Sequence, residues 1–417
     1  MRICTGGRSA WRRALCISLL SASAITGCAP ADWSAPPALQ YLGDHRVPDG
    51  AALAGTVIGG LSGISYDAHR DVYVVISDDR SARGPARFYD ARIALSGNGF
   101  GAIEFVATHP LLDADGRPFA PLDVAARPPV VPPDPEAIAV DLDRRRLYWT
   151  SEGERLTDEP TGPVLQDPFV RIADFDGRYL GEFALPPTLR MSAENTGTRR
   201  NLALEGLTVT PGGQAVWAGM EGPLLQDGPL PSDTEGALTR ITRFDPDTGT
   251  ADAQYAYPLD AVSAGRGGDN GLSDLVAVDD STLLVVERGF AGRNSVRIYR
   301  AEVADADNVL DLPALGGREV RPMAKTLLVD LATTPGLNRL DNIEGITLGP
   351  ALPDGRRTVV LIGDDNFSPT QITQVVAFAM CSGKVSKVRR AQGNSCRDRT
   401  RPMSVQAEPS GRGLRSR

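Results

Sequence analysis

LDNIEGITLGPALPDGRRTVVLIGDDN, residues 340–366, decides how this chain folds. Two short apolar runs flank a turn rich in Pro and Gly, which is the pattern of a β-hairpin rather than a helix. An acidic residue stands at each outer end: Glu344 opens the first run and Asp364 closes the second. A hairpin brings such ends together, so the question is whether the arrangement recurs.

It recurs four times. LSGISYDAHRDVYVVISDDR begins at Leu61, PEAIAVDLDRRRLYWTSEGE at Pro135, LEGLTVTPGGQAVWAGMEG at Leu204 and LSDLVAVDDSTLLVVERG at Leu272, roughly 70 residues apart. A third strand-like run follows each pair: RFYDARIAL, FVRIADFDG, TRITRFDPDTG, SVRIYRAEV and TQVVAFAM. The first four units add a fourth run, whereas the fifth stops at Cys381; ALQYLGDHRVP, at 38–48, has the character of the missing strand. The reading is an all-β chain, a β-propeller of four-stranded blades closed by an N-terminal strand. Five repeats are visible; a sixth, poorly matching blade is an alternative, for which the connections leave little room.

In a blade the innermost strand starts at the face where the second strand ends. The first positions are Ser62, Glu136, Glu205, Ser273 and Glu344; the second are Asp78, Glu152, Glu221, Glu287 and Asp364. Eight carboxylates are thereby expected around one mouth of the channel. Like charges so close raise one another's pKa unless a cation intervenes, and Ca²⁺ takes six to eight oxygen ligands. The eight acids are candidate ligands of a divalent metal, most naturally Ca²⁺, with Glu205 or Glu344 as a general base. Arg80 and Arg288, just beyond ring acids, are candidates to hold an anionic group. The competing reading is structural: a Glu at a strand start can accept backbone N–H bonds from the next blade.

The rest of the chain narrows the class. Residues 2–27 hold four arginines and no acids, residues 381–417 hold ten Lys/Arg against two acids, and the total is −8, so the body between carries about −20. That charge opposes nucleic-acid binding. Residues 1–27 read as a signal peptide, with a short apolar stretch ending in AITGC. That junction marks Cys28 as a lipidation site, an anchor to a bacterial membrane in the cell envelope, facing the periplasm or exterior; cleavage at an ordinary small-residue site is the alternative. Residues 28–37 form a linker, 38–380 the propeller and 381–417 a basic tail without periodicity, expected to be disordered. Cys381 and Cys396 are an even pair that a disulfide or two free thiols would equally fit. The three histidines, His45, His69 and His109, lie outside the ring, and neither a Gly-rich phosphate loop nor a GxSxG elbow is present.

GGLSGISYD, PDPEAIAVD, LALEGLTVTPGG, GLSDLVAVDD and DNIEGITLGP, with YVVISDDR and LLVVERG, resemble the phytase-like propeller family, the group described as having the esterase-like activity of phytase. The resemblance spans roughly 40–380. It implies an exported bacterial propeller and hydrolysis of phosphate or other esters, with Ca²⁺ bridging enzyme and phosphate. Lys325 is the sole lysine between residues 28 and 380, which sits poorly with inositol hexakisphosphate as substrate. The expectation is a monomeric, metal-dependent ester hydrolase of the cell envelope, a phosphoesterase acting on a small-molecule ester other than phytate. A lactonase-like hydrolase and a non-catalytic binding or scaffolding propeller are the alternatives.

Overall fold

A computed structural model describes residues 38–381, except 98 and 264. The signal peptide, Cys28, the linker, the tail and Cys396 lie outside these residues. Within them the chain is β-structure, the helices being two short 3-10 turns at Pro187–Leu189 and Leu331–Thr333.

Five four-stranded antiparallel sheets form the blades. The inner strands of blades 1 to 5 are Leu61–Asp67, Pro135–Asp141, Leu204–Val209, Gly271–Ala277 and Asn342–Ala351. The second strands are Val72–Ser77, Arg146–Ser151, Val216–Met220, Thr282–Phe290 and Arg357–Asp364. In the fifth sheet the outermost strand is Ala38–Arg46, paired with Gln374–Cys381, so the first strand of the chain completes the last blade as the repeat implied. Each inner strand touches the inner strands of two other blades in the cyclic order 1–2–3–4–5 and back to 1. Among the described residues the propeller therefore has five blades, their inner strands closing one ring.

The apolar residues of each sheet face its neighbours, and one buried cluster fills each of the five gaps between blades. Blades 4 and 5, for example, share Val286, Ile298, Ile346, Leu361 and Phe378, each contributing roughly 1.5–3 kcal/mol by burial. Trp149 and Trp217 pack between sheets, Trp149 edge-on to Phe169 at 5.0 Å.

Around the axis the inner strands approach closely enough to dictate residue size. A Cβ on Gly63 would lie 2.6 Å from the Glu136 carbonyl, and one on Gly345 would lie 2.9 Å from the Ser62 carbonyl. Three inner-strand hydroxyls then stitch blades together. Ser65 Oγ accepts the Val140 N–H at 3.0 Å, Thr208 Oγ1 that of Ala277 at 3.1 Å, and Thr347 Oγ1 that of Tyr66 at 3.3 Å.

Candidate metal centre at the channel mouth

Each inner strand breaks register at the same place in all five blades, and that of blade 5 breaks again between Leu348 and Ala351. The shifts fall between Leu61 and Gly63, Pro135 and Ile138, Leu204 and Gly206, Leu272 and Asp274, and Ile343 and Gly345. Ser62, Glu136, Glu205, Ser273 and Glu344 are thus bulge residues. A bulge leaves its extra residue out of the ladder and re-aims its side chain, which is how a residue flanked by core positions reaches the channel mouth.

The second positions are fixed by pairing with the residue just before each inner strand's first apolar residue. The N–H of Asp78 donates to the Gly60 carbonyl, that of Glu152 to Asp134 and that of Glu221 to Ala203, while Asp364 pairs with Asn342. In blade 4 the equivalent partner, Gly271, pairs with Arg288, and Glu287 pairs with Leu272. The blade 4 hairpin is one residue shorter than those of blades 1 to 3, and a one-residue step in a strand turns the side chain to the opposite face. Arg288 therefore occupies the ring position expected for Glu287. Glu287 points into the blade, where it accepts hydrogen bonds from Tyr257 Oη at 2.8 Å, the Asp260 N–H at 3.0 Å and Asn270 Nδ2 at 2.8 Å, and pairs with Lys325. The structure does not bring Glu287 together with the other candidate ligands.

The remaining seven ring acids do meet, joined by one the repeat did not single out. Asp134, Glu136 and Glu152 offer oxygens all within 4.8 Å of one another, and so do Glu152, Glu205 and Glu221. Glu152 belongs to both groups. Asp134 stands where blade 5 has Asn342, so aligning the repeats one residue further upstream would have found it. On the other flank Asp78, Glu344 and Asp364 repel one another, and Asn342 Nδ2 donates to Glu344 at 2.8 Å and Asp364 at 3.4 Å.

The electrostatics are unfavourable for anions alone. Burial first, and then neighbouring carboxylates, push Glu136, Glu152, Glu205 and Asp364 well above the usual carboxylate range. The same causes raise Asp78 to about 8. Burial raises Glu221 to about 7 against the opposing pull of Arg288, and Asp134 to about 6 against that of Arg80.

Two guanidiniums enter the ring. Arg288 Nη2 lies 3.2 Å from Glu344 and 3.6 Å from Glu221, and its Nε is buried with no hydrogen-bond partner among the described residues. Arg80 contacts Asp134 at 3.4 Å and Glu154 at 2.8 Å, so it sits beside blade 2 rather than over Asp78. The two serines differ. Ser62 donates to the Glu136 carbonyl at 2.7 Å and acts as a cap, whereas Ser273 Oγ is buried without a partner.

Beneath the ring, Asp274 occupies the position held by Gly63, Ala137, Gly206 and Gly345 in the other blades. Its carboxylate accepts N–H bonds from Leu207 at 3.1 Å, Leu275 at 2.8 Å and Ile346 at 2.8 Å, joining the inner strands of blades 3, 4 and 5. From the ring outward, a cavity of about 720 Å³ runs past Arg288 and Glu344 between blades 4 and 5, with Arg339, Asn294 and Phe290 on its walls.

No curated protein matches the chain by sequence. Among solved structures, a gluconolactonase from Xanthomonas campestris matches at 14% identity with a TM-score of 0.32, covering 84% of this chain and 99% of that one. A GH43 β-1,3-galactosidase bound to galactodeoxynojirimycin matches at 11% identity and a TM-score of 0.40, covering 80% and 94%. Likenesses this distant carry no functional argument. The bulged inner strands and the carboxylate mouth fall within residues 56–367, which match the family model described as phytase-like, esterase-like activity of phytase, and the chain belongs to that phytase-like family.

Proposed function

We propose that the protein is a divalent-metal-dependent ester hydrolase, acting on a small anionic ester, in the first place a phosphoester. The observation that supports this reading most is the pair of carboxylate groups sharing Glu152, each with oxygens within 4.8 Å. That span is about twice the ~2.4 Å distance at which oxygen binds Ca²⁺, and an all-carboxylate set suits a hard cation. Asp134, Glu136, Glu152, Glu205 and Glu221 would hold the metal, with Asp78, Glu344 and Asp364 supplying negative charge from the facing blades. A cation bound there polarises an ester oxygen and acidifies water.

The chain's own groups do the rest. Arg288 faces the ring from blade 4 with an unused Nε–H, and orients an anionic oxygen of the substrate while Glu221 and Glu344 hold the guanidinium in place. Glu205 or Glu344 takes the proton of the attacking water. Arg80, held by Asp134 and Glu154, braces the blade 2 acids, and its own unpartnered Nε–H makes it a second candidate to orient the anionic group. The cavity between blades 4 and 5 receives the remainder of the ester. As part of the same reading, the protein is exported and anchored in the cell envelope through Cys28; acylation lost in Cys28→Ala would support that, and export without acylation would exclude it.

Hydrolysis of p-nitrophenyl phosphate and p-nitrophenyl acetate, with calcium and with chelator, tests the chemistry. The reading expects calcium-dependent turnover that falls at least about 100-fold in Glu205→Gln, and a preference for the phosphate that Arg288→Gln removes. Calcium binding without turnover of either ester class would favour a binding or scaffolding propeller.

A further inference from the structure

The opposite end of the channel holds a cavity of about 280 Å³. Ser65, Thr208 and Thr347 lie on its inner wall, and Tyr66, His69 and Arg357 lie nearer the opening. Each hydroxyl already accepts one N–H across a blade boundary. A hydroxyl that accepts still has its own hydrogen to donate, and among the described residues Ser65 and Thr347 donate theirs to nothing. Arg357 opens the second strand of blade 5, and no carboxylate, carbonyl or hydroxyl among the described residues pairs with it. Its side chain is exposed at the opening of the cavity rather than buried in it.

The acids near this mouth are disposed away from Arg357. Asp141 is consumed by Arg144 at 3.2 Å and by Tyr148 Oη at 2.7 Å. Asp143 stands across the opening, in the blade 2 turn that approaches Gly213 of blade 3. Arg357, Thr347 and Ser65 lie on blade 5 and its neighbour blade 1, which the Tyr66 N–H to Thr347 bond holds side by side. An exposed guanidinium with no carboxylate beside it, at the opening of a cavity whose inner wall carries the buried Thr347 hydroxyl and the Ser65 hydroxyl with O–H bonds still to give, suits an anion.

We propose that this second mouth binds a small oxyanion, a carboxylate or a phosphate, with Arg357 supplying the charge and Ser65 and Thr347 the directed O–H bonds. The site is independent of the carboxylate ring and needs no metal. It would add a tie between blades 5 and 1, the pair that the N-terminal strand closes.

Titration of the full-length protein with inorganic phosphate and with acetate, in chelator and monitored by calorimetry, tests this. The expectation is saturable binding that weakens at least about tenfold in Arg357→Ala, is partly retained in Arg357→Lys, weakens in Thr347→Val, and is unchanged in Glu205→Gln. Saturation by phosphate only assigns the ligand as a phosphate, and saturation by acetate only assigns it as a carboxylate. No saturable binding, or binding equally strong in Arg357→Ala with its melting temperature preserved, overturns the proposal.

Discussion

The two mouths of the channel are built by the same five strands and are chemical opposites. At one, a bulge in every blade turns strand-start residues inward, and seven ring acids with Asp134 crowd a buried rim. At the other, three residues further along three of those strands, hydroxyls satisfy N–H groups of the neighbouring blade and an arginine stands at the opening. The first mouth holds groups whose charges raise one another's pKa and loosen the fold; the second holds groups that bond blades to one another. Asp274 lies between them and belongs energetically with the second. The difference shows that a repeat position carries function where the ladder releases it and stability where the ladder uses it.

The most disruptive test of this contrast is Asp274→Ala. It strands three N–H groups that are paired in the native channel, two of them from other blades. At about 1–3 kcal/mol per unsatisfied group, unfolding by denaturant is expected to show a loss of roughly 3–9 kcal/mol. A loss below 1 kcal/mol would mean that the inner strands do not depend on this carboxylate.

Glu287→Gln separates a structural acid from the ring acids. It removes the charge opposite Lys325 and disturbs the Tyr257 and Asn270 bonds, so stability falls by about 3 kcal/mol while calcium affinity changes less than about twofold. A large loss of affinity would return Glu287 to the metal centre.

The pH dependence of the metal-free protein sharpens the same division. Asp78, Asp134 and Glu221 are raised in the folded state to about 8, 6 and 7, above their unfolded values near 4. Folded protein therefore binds more protons than unfolded across that window, and the stability these groups give is present below pH 4 and lost as pH rises through 6 to 8. Stability in chelator is expected to fall steadily from pH 5 to pH 8, by several kcal/mol. Saturating calcium should flatten or reverse that slope. A flat profile in chelator would contradict the crowding.

The mildest change is Arg288→Gln, which removes the cation that lies between Glu221 and Glu344. Calcium affinity should rise by up to about tenfold, ~1.4 kcal/mol, measured by the same titration. A fall in affinity would make Arg288 part of the metal site's architecture.

Much of this was legible in the chain. The five-fold recurrence and the closing strand at 38–48 follow from short apolar runs at regular spacing, because every blade must bury two faces in the same way. The convergence of Asp78, Glu136, Glu152, Glu205, Glu221, Glu344 and Asp364 on one mouth follows from strand polarity. What was not legible depends on single residues of register. The blade 4 hairpin is one residue short, so its second position falls on Arg288 and not on the neighbouring acid Glu287; Tyr257 and Lys325, the groups that hold Glu287, lie on outer strands far away in sequence. Asp134 was hidden because it precedes the repeat's first apolar residue, and Asp274 because its equivalents carry no polar group. The far mouth left no acidic or motif signal, since an unpaired arginine shows only in three dimensions.

Calcium titration by calorimetry of the wild type beside Glu152→Gln tests the central claim most directly, because Glu152 belongs to both carboxylate groups. Micromolar calcium binding in the wild type, weakened at least about 100-fold in the variant with its fold intact, is the predicted result. No binding heat with calcium, magnesium or manganese, or equal affinity in both proteins, would contradict it and leave the carboxylate mouth without a metal.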